Sequence, residues 1–341
     1  MGSRLDYDES SIRVRPSPRS RPRTKDRPAH KDAVVGMVIG VDRGRWTCLL
    51  DDHTVSGMRA RELRRTSIVV GDRVALVGDT SGRDGTLARI VRVEDRDTLL
   101  RRTADDTDPV ERVLVANADQ LAIVTALADP EPRPRMIDRC LVAAYDAGMD
   151  PLLVLTKADL ADPEPFLTQY VSLGVRHVIT STDGDVAGAP IEGLHRVHEL
   201  LADRMTVLVG HSGVGKSTLV NALVAGASRA IGHVNAVTGR GRHTSSSAIA
   251  LPLPSGGWVV DTPGVRSFGL AHVDADSIIH HFPELEDGTK DCPRGCSHDE
   301  AECGLDAWVE GGHAGPSGRS RLESLRRLLR SRAGDTDDHD S

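Results

Sequence analysis

The sequence has no long apolar run and few cysteines, and both absences narrow the class of protein. No stretch of its 341 residues approaches the roughly 20 apolar side chains that span a bilayer. The N-terminus also lacks the apolar core of a signal peptide. We therefore expect a cytoplasmic protein without a membrane partner. Five cysteines make an odd number, and three of them (Cys292, Cys296 and Cys303) fall within twelve residues, which favours a metal site over a disulfide framework.

Charge is distributed unevenly along the chain. The formal net charge is -7, yet residues 1–102 carry 22 Lys and Arg against 15 Asp and Glu. Residues 1–32 include the segment RVRPSPRSRPRTKDRP, whose composition predicts a disordered basic arm, and residues 333–341 predict a disordered acidic tail. The arm is either a solvating tail or a segment that seeks phosphate groups, and charge pattern alone does not decide between them.

Residues 33–101 consist of short β-rich runs separated by Gly and Asp. The runs are AVVGMVIGV, RWTCLL, IVVGDRVALVG and GTLARIVRV. Four or five strands in this length predict an all-β OB-type barrel. Four arginines on the central connection (Arg59, Arg61, Arg64 and Arg65) favour nucleic-acid binding, with an SH3-like or purely structural barrel as the alternative.

Residues 102–270 alternate between strand-like and helix-like segments. Five apolar runs end in polar or Gly-rich residues: QLAIVTAL, PLLVLTKAD, VRHVITST, MTVLVGHSG and GWVVDTPG. The intervening segments RMIDRCLVAAYDAG and IEGLHRVHELLAD have helical spacing. The pattern predicts an α/β domain with a doubly wound parallel sheet that binds its ligand at the carboxyl ends of the strands.

A phosphate-binding loop follows one of these strands. Its motif, G-x-x-x-x-G-K-S, lets backbone N–H groups face the phosphates, while Lys216 neutralises the β and γ oxygens and Ser217 ligates magnesium. At the end of another strand, Asp261 would hold magnesium through water and the Gly264 N–H would contact the γ-phosphate. The predicted phosphate site comprises Gly210, His211, Ser212, Gly213, Val214, Gly215, Lys216, Ser217, Thr218, Asp261 and Gly264.

The tetrapeptide TKAD, which begins at Thr156, is interpreted as a guanine reader. Asp159 would accept from the N1 and N2 protons of guanine, the stem of Lys157 would cover the base, and the Ser181 backbone would contact O6. A simple helix cap at Asp159 is the alternative. In most P-loop GTPases the base reader follows the P-loop, whereas here it precedes it. We therefore interpret the domain as circularly permuted, a rearrangement that moves only the chain termini.

The order TKAD, GHSGVGKST, GRHTS and DTPG, with a barrel before it and a Cys/His cluster after it, resembles one known family. This is the RsgA/YjeQ family of ribosome small-subunit-dependent GTPases, and the resemblance covers about residues 33–330. The segments ANADQLAIVTALADP and GRHTSSS are similar to that family's patterns as well.

The resemblance implies a GTPase, and we expect a monomer with magnesium and one zinc per chain as cofactors. The resemblance also implies binding to the small ribosomal subunit and its rRNA late in subunit maturation, hydrolysis of GTP to GDP and phosphate that the subunit stimulates, and release on hydrolysis. Two alternatives stay open. One is an RNA-binding adaptor that holds GTP as a structural ligand, and the other is a permuted GTPase of large-subunit assembly.

The candidate zinc ligands are Cys292, Cys296, His298 and Cys303, because tetrahedral zinc accepts three thiolates and one imidazole. The spacing between the first two ligands and that between the last two are each one residue shorter than the resemblance implies. His280, His281 and His313 are reserve ligands nearby. A second departure is Thr156, which stands where the family usually has Asn, so its hydroxyl would have to replace a side-chain bond to the P-loop.

Catalysis requires a group other than the residue after DTPG. Many GTPases place a water-orienting Gln there, but Val265 is apolar and cannot polarise water. Thr244 in GRHTS is a candidate sensor of magnesium and the γ-phosphate. His243 is a candidate for orienting the attacking water, a role that the resemblance also favours. The alternatives for His243 are a contact with phosphate, with RNA, or none.

The segment 271–332 predicts a small zinc-binding helical domain, because so short a stretch cannot build a large core. Its last part, SRLESLRRLLRSR, is a basic amphipathic helix with leucines on one face. We expect those leucines to pack against the zinc unit. The arginines on the other face are candidates for contact with RNA phosphates.

Overall fold

The computed structural model describes residues 30–102, 112–182, 190–224, 248–262, 268, 270, 272–300 and 302–333. Internal contacts divide the chain into Met1–Asp32, of which residues 30–32 are described, and Ala33–Ser341, which holds every element named below. Within these described ranges, no helix has the length and apolar character needed to cross a bilayer.

The first five strands form a closed barrel. They are β1 (Val34–Asp42), β2 (Arg45–Leu50), β3 (His53–Arg59), β4 (Arg73–Gly78) and β5 (Ala88–Val93). Neighbours follow the order β1-β2-β3-β5-β4, and β4 pairs back onto β1 to close the ring. The predicted OB-type barrel is confirmed. Alternate side chains fill its interior, including the buried Val38, Cys48, Val74, Leu76 and Ile90.

The strand β3 was not among the strand-like runs found in the sequence. Its residues HTVSGMR place only Val55 and Gly57 in buried positions. A single buried apolar side chain gives almost no alternation signal, so this strand is formed mainly through pairing with β2 and β5.

The predicted parallel sheet is also confirmed. Its strands are β8 (Gln120–Ala126), β9 (Asp150–Thr156), β10 (Arg176–Ile179), β13 (Met205–Val209) and β15 (Trp258–Asp261), in the spatial order β10-β9-β8-β13-β15. All four pairings in this order are parallel. Two small antiparallel pairs lie outside the sheet, namely β6 (Leu99–Arg102) with β7 (Arg112–Ala116), and β11 (Ser181–Thr182) with β12 (Ile191–Glu192).

Helices cover both faces of this sheet. Leu121 and Ile123 of β8 belong to the cluster that includes residues of α1 (Pro134–Asp146) and α2 (Glu164–Val171). The alternating residues Ala122 and Val124 belong to the cluster formed with α3 (Leu194–Leu201) and α4 (Lys216–Val224). The sheet is therefore doubly wound, with its strands buried on both sides.

A short strand, β14 (Ile249–Pro252), joins the sheet to the barrel. It pairs antiparallel with β15, and Ile249 also stands opposite Gly40 of β1. The result is one continuous eleven-stranded sheet. Four residues of IALP give too short a pattern to predict this junction.

The C-terminal region is helical, as predicted. It contains α5 (Ala275–Ile279), α6 (Pro283–Glu286), α7 (Gly304–Glu310) and α8 (Gly318–Ala333), and a 3₁₀ helix at Asp287–Asp291. A second 3₁₀ helix, at Arg61–Leu63, belongs to the barrel. The four leucines of α8 (Leu322, Leu325, Leu328 and Leu329) are buried. They share one apolar cluster with α1, so α8 packs against the α/β domain as well as against the C-terminal helices.

The arginines of α8 are mostly engaged within the protein. Their partners are protein carboxylates and carbonyls: Glu284 and Ser172 for Arg321, Asp306 for Arg326, Asp138 for Arg327, Asp299 for Arg330 and Val273 for Arg332. Contact between this face and RNA phosphates would have to compete with these bonds, and the sequence pattern alone did not indicate them.

Candidate nucleotide site and metal centre

The predicted nucleotide motifs meet at one edge of the parallel sheet. TKAD begins at the last residue of β9, the P-loop follows β13, and Asp261 ends β15. Thr156 stands opposite Ala126 of β8, and Leu208 stands opposite Asp261. Because the strands are parallel neighbours, their carboxyl ends share an edge, where open α/β sheets bind ligands.

The P-loop has the backbone of a phosphate cradle. Gly213 and Gly215 both have φ near +85°, a conformation that suits glycine, and a Cβ at Gly210 would come within 2.5 Å of the Val124 carbonyl oxygen. Lys216 Nζ lies 3.5 Å from Asp261 Oδ1, and both side chains are mostly buried. This lysine and carboxylate face each other where phosphate and a cation would lie.

Thr156 links the predicted base reader to the P-loop. Its Oγ1 lies 2.7 Å from the Val214 carbonyl oxygen and 3.3 Å from that of Thr125. A hydroxyl has one proton, so it donates mainly to the closer P-loop carbonyl. The Thr156 hydroxyl therefore supplies the side-chain bond to the P-loop that the family's usual Asn is expected to make.

Lys157 contacts the end of the segment ANADQLAIVTALADP, to which the sequence assigned no role in the nucleotide site. It has φ +56°, and its Nζ donates to the carbonyl oxygen of Asp129 in the loop between β8 and α1. Pro130 of the same loop lies 3.5 Å from the position of a Cβ at Gly213. The loop therefore contacts TKAD and lies beside the P-loop, and the sequence did not indicate the contact because it uses a backbone oxygen.

Asp159 has an exposed side chain at the same edge. It is not the cap of the next helix, because α2 has Pro163 at its N-cap and no side-chain cap bond. Its Oδ1 accepts from the Thr182 backbone N–H at 3.4 Å. Ser181 is placed beside it because Ala158 N–H donates to Thr180 O at 3.2 Å. The two predicted guanine contacts are therefore neighbours.

The role of Thr156 can be tested with a matched pair of substitutions. We expect Thr156→Val, which removes the hydroxyl at almost constant volume, to weaken both GTP and GDP binding by about 1 to 3 kcal/mol, because the buried P-loop carbonyl loses its donor. Thr156→Ser keeps the hydroxyl and should bind nearly as well as the parent. Equilibrium titration with a fluorescent nucleotide measures both, and equal affinities of the two variants would contradict this role.

The four predicted zinc ligands converge near the C-terminus. Their ligand atoms lie within 4.8 Å of one another. Cys292 Sγ is 3.8 Å from Cys303 Sγ and 3.4 Å from His298 Nδ1, which is 3.8 Å from Cys303 Sγ. A tetrahedral zinc with bonds of about 2.3 Å to sulfur and 2.0 Å to nitrogen needs separations of about 3.5 to 3.8 Å. The donor set fits zinc, and the separations among Cys292, His298 and Cys303 are close to those of a tetrahedral site.

The surroundings of the cluster hold the His298 backbone in place and shift the pKa values of His298 and Cys303. The Arg326 Nε donates to the His298 carbonyl oxygen at 2.8 Å, while its two terminal nitrogens bind Asp306 at 3.0 and 2.6 Å. Burial lowers the pKa of His298, which favours the neutral imidazole that ligates metal. Burial raises the pKa of Cys303, and a bound cation would offset that effect by stabilising the thiolate.

The reserve histidines lie elsewhere. His280 pairs with Glu286 at 2.7 Å, His281 stacks on Tyr145 at 4.2 Å between ring centroids, and His313 packs on Trp308 at 4.5 Å. Among the described residues, none of the three belongs to the cluster. The predicted catalytic residues His243 and Thr244, together with Gly264 and Val265, lie outside the described residues.

The protein combines an OB-type barrel, a parallel sheet in which TKAD precedes the P-loop, and a Cys₃His cluster. Together these define a circularly permuted GTPase with an appended Cys/His module. A sequence model of the RsgA GTPase family matches residues 93–271. The chain is 35% identical over 290 residues to the small ribosomal subunit biogenesis GTPase RsgA of Chlorobaculum tepidum, covering 82% of this chain and 90% of that protein. The corresponding protein of Pseudomonas aeruginosa is 37% identical over 273 residues, covering 78% and 76%.

Two solved structures are similar as well. YjeQ from Thermotoga maritima matches with a TM-score of 0.61 and 27% identity over 89% of this chain and 99% of that one. YloQ, described as a circularly permuted GTPase, has a TM-score of 0.60 at 21% identity, over 92% and 100%, and supports the fold. The chain belongs to the RsgA GTPase family, and it hydrolyses GTP.

Proposed function

We propose that this GTPase binds the small ribosomal subunit late in the subunit's maturation, and that the subunit stimulates GTP hydrolysis. One observation carries the proposal. The similarity to proteins named small ribosomal subunit biogenesis GTPases extends over 290 residues, well beyond the matched GTPase segment 93–271. The regions outside the GTPase sheet, which would contact a partner, are therefore shared with those relatives.

The barrel offers a surface for rRNA. Arg61, Arg64 and Arg65 are exposed on the connection after β3, and the nearby Met58 is also exposed. Arg59 differs from them, because its Nη1 donates to the Thr66 carbonyl oxygen at 3.0 Å and its guanidinium lies over the Trp46 ring. Three of the four predicted arginines are thus available for phosphate contacts.

The cofactors follow from the two sites. Ser217, Asp261 and Thr244 would hold magnesium, which neutralises charge on the phosphates, and Lys216 would bind the β and γ oxygens. Cys292, Cys296, His298 and Cys303 would hold one structural zinc per chain. We also propose a division into a barrel (33–101), a GTPase domain (102–270) and a zinc-binding domain (271–332), acting as a monomer.

His243 would orient the attacking water, since Val265 has no polar group. Rate stimulation by the subunit would arise if rRNA contacts with the barrel and the zinc domain place His243 beside that water. The nucleotide itself is held by the P-loop and Asp159, so this contact would be made in the transition state rather than in the ground state.

Turnover with purified subunits tests the proposal. We expect small subunits to raise multiple-turnover phosphate release by orders of magnitude, as trans-acting groups do in other GTPases, while large subunits do not. Added salt should weaken the stimulation by screening phosphate contacts. Equal turnover with and without small subunits would indicate an adaptor, and stimulation by large subunits alone would indicate a role in their assembly.

The same assay separates the role of His243. His243→Ala should lower stimulated turnover about 10²-fold or more with little change in GTP affinity, the pattern of an interaction made only in the transition state. The exposed His195 of α3 provides a matched control, because His195→Ala removes an imidazole away from the nucleotide motifs. Full stimulation of the His243 variant would assign water orientation to another group.

A further inference from the structure

A row of paired residues connects the barrel to the predicted magnesium ligand. Gly40 of β1 stands opposite Ile249 of β14, and Ile249 stands opposite Asp261 of β15. Asp261 in turn stands opposite Leu208 of β13, the strand that leads into the P-loop. These four residues form the junction row. Because neighbouring strands are bonded through their main chains about 4.8 Å apart, β14 sets the position of Asp261 from the barrel side.

A β-bulge bends β1 at the point where this strand changes partners. Its first residues, Val34–Met37, pair with β4 and close the barrel, whereas Gly40 pairs with β14. The register with β2 shifts by one residue between Val38 and Gly40, which makes Ile39 the extra residue of the bulge. Bulges bend a strand and increase its local twist. The bulge at Ile39 therefore marks the change from the closed ring to the GTPase sheet.

The Ile39 side chain belongs to the core of the α/β domain. It is buried and shares one apolar cluster with Ala250 of β14 and Val260 of β15. Those two residues stand opposite each other, one step from the junction row. The preceding residue, Val38, is also buried, but it belongs to the cluster inside the barrel. Ile39 is therefore the point at which β1 packs into the core that supports β14 and β15.

The P-loop side of Asp261 is held separately. The Thr262 hydroxyl donates to the Leu208 carbonyl oxygen at 2.9 Å, and Lys216 Nζ lies 3.5 Å from Asp261 Oδ1. Asp261 thus ends a strand that is attached to the P-loop strand on one side and to the barrel on the other. A carboxylate that must meet a cation accurately depends on both attachments.

We propose that Ile39 of the barrel is a positioning residue for magnesium-dependent GTP binding, and that it acts through β14 and β15 on Asp261. This inference rests on the magnesium role proposed for Asp261. Truncation of Ile39 leaves a cavity in the core that β14 and β15 share, and strands beside a cavity relax partly into it. Such a shift displaces the Asp261 carboxylate relative to Lys216. The P-loop backbone and Asp159 are on other strands, so binding of nucleotide without magnesium depends on Ile39 much less.

Binding of a non-hydrolysable GTP analogue to the full chain, in Mg²⁺ and in EDTA, tests this role. The measured quantity is the gain in affinity that Mg²⁺ produces. We expect Ile39→Ala to reduce this gain about threefold to tenfold, while the affinity in EDTA stays within about twofold of the parent. Ile39→Val removes one methylene and should reduce the gain about twofold.

The neighbouring residue supplies the matched control. Val38→Ala also truncates a buried side chain of β1, so it should lower the melting temperature, but the cavity lies in the barrel core. Its Mg²⁺ gain should equal that of the parent. This comparison separates loss of packing in general from displacement of Asp261.

Two results would overturn the inference. One is a Mg²⁺ gain in Ile39→Ala equal to that of the parent, and the other is an equal reduction in Val38→Ala. If Ile39→Ala does not fold, the comparison of Ile39→Val with Val38→Ala decides in the same way. A parent whose affinity does not respond to Mg²⁺ would contradict the proposed magnesium site itself, so failure of that proposal is distinguishable from failure of this one.

Discussion

Asp159→Asn is expected to shift the base preference of this GTPase from GTP to XTP. The Asp159 carboxylate can accept from both N1–H and the N2 amino group of guanine, whereas an asparagine amide offers one acceptor and one donor. Xanthine has a carbonyl oxygen at C2, where guanine has its amino group. The asparagine amide can therefore donate to this oxygen and accept from the adjacent ring N–H. The substitution should therefore replace the complementary pair of aspartate and guanine with that of asparagine and xanthine.

The expected size follows from the one contact that is lost, because it leaves two donors unpaired, one on guanine and one on the asparagine amide. Each unpaired group costs about 1 to 3 kcal/mol, so GTP affinity should fall by about 2 to 6 kcal/mol in total, or roughly 30-fold to 10⁴-fold. XTP should bind more tightly to the variant than to the parent. Competition titrations with GTP, XTP and ATP against one fluorescent nucleotide measure the three affinities directly.

A nearby carboxylate supplies the control. Asp162 is exposed, three residues further on, and its Oδ1 accepts from the Glu164 backbone N–H at 3.1 Å. Asp162→Asn removes the same charge from the same loop and should leave the base preference unchanged. If Asp159→Asn binds GTP as tightly as the parent, the base reader is elsewhere and the interpretation of TKAD as a displaced guanine motif is wrong.

The sequence was sufficient for features in which motif and periodicity coincide. The strands before TKAD and the P-loop are continuous apolar runs that must be buried on both faces. Each strand leads into a motif that predicts one kind of contact, with the base for TKAD and with the phosphates for the P-loop. The rotated motif order then leads to the permuted sheet, because circular permutation preserves spatial neighbours. The Cys₃His set was likewise predictable from residue types and spacing.

Other contacts carry no sequence signal, because one partner is a backbone atom. Lys157 binds the carbonyl oxygen of Asp129, and Arg139 binds that of Phe268. Neither bond can be predicted from a pair of side chains, because each acceptor is a backbone oxygen. The partners of Arg139 are also 129 and 192 residues away in sequence. Such bonds depend on tertiary geometry, which local periodicity does not encode.

Cys296→Ser is expected to abolish stoichiometric zinc binding. Native mass spectrometry of the parent should show one zinc per chain, and the variant should show none, because a serine hydroxyl is a poor substitute for one of three thiolates. Structural zinc sites contribute apparent binding free energies of about 10 to 16 kcal/mol, so removing one ligand has a large effect. Glu302→Gln, an exposed change beside Cys303, should retain the metal.

We expect the structural effect of zinc loss to decrease with distance from the cluster. Arg326 binds the His298 carbonyl and Asp306, so metal loss first releases the loop that α8 holds. The P-loop and Asp159 would contact nucleotide without this loop, so we expect GTP affinity to stay within about twofold of the parent. Retention of one zinc by the Cys296 variant would exclude this residue as a ligand. A large loss of GTP affinity in the same variant would show instead that α8 transmits the state of the metal centre to the nucleotide edge of the sheet.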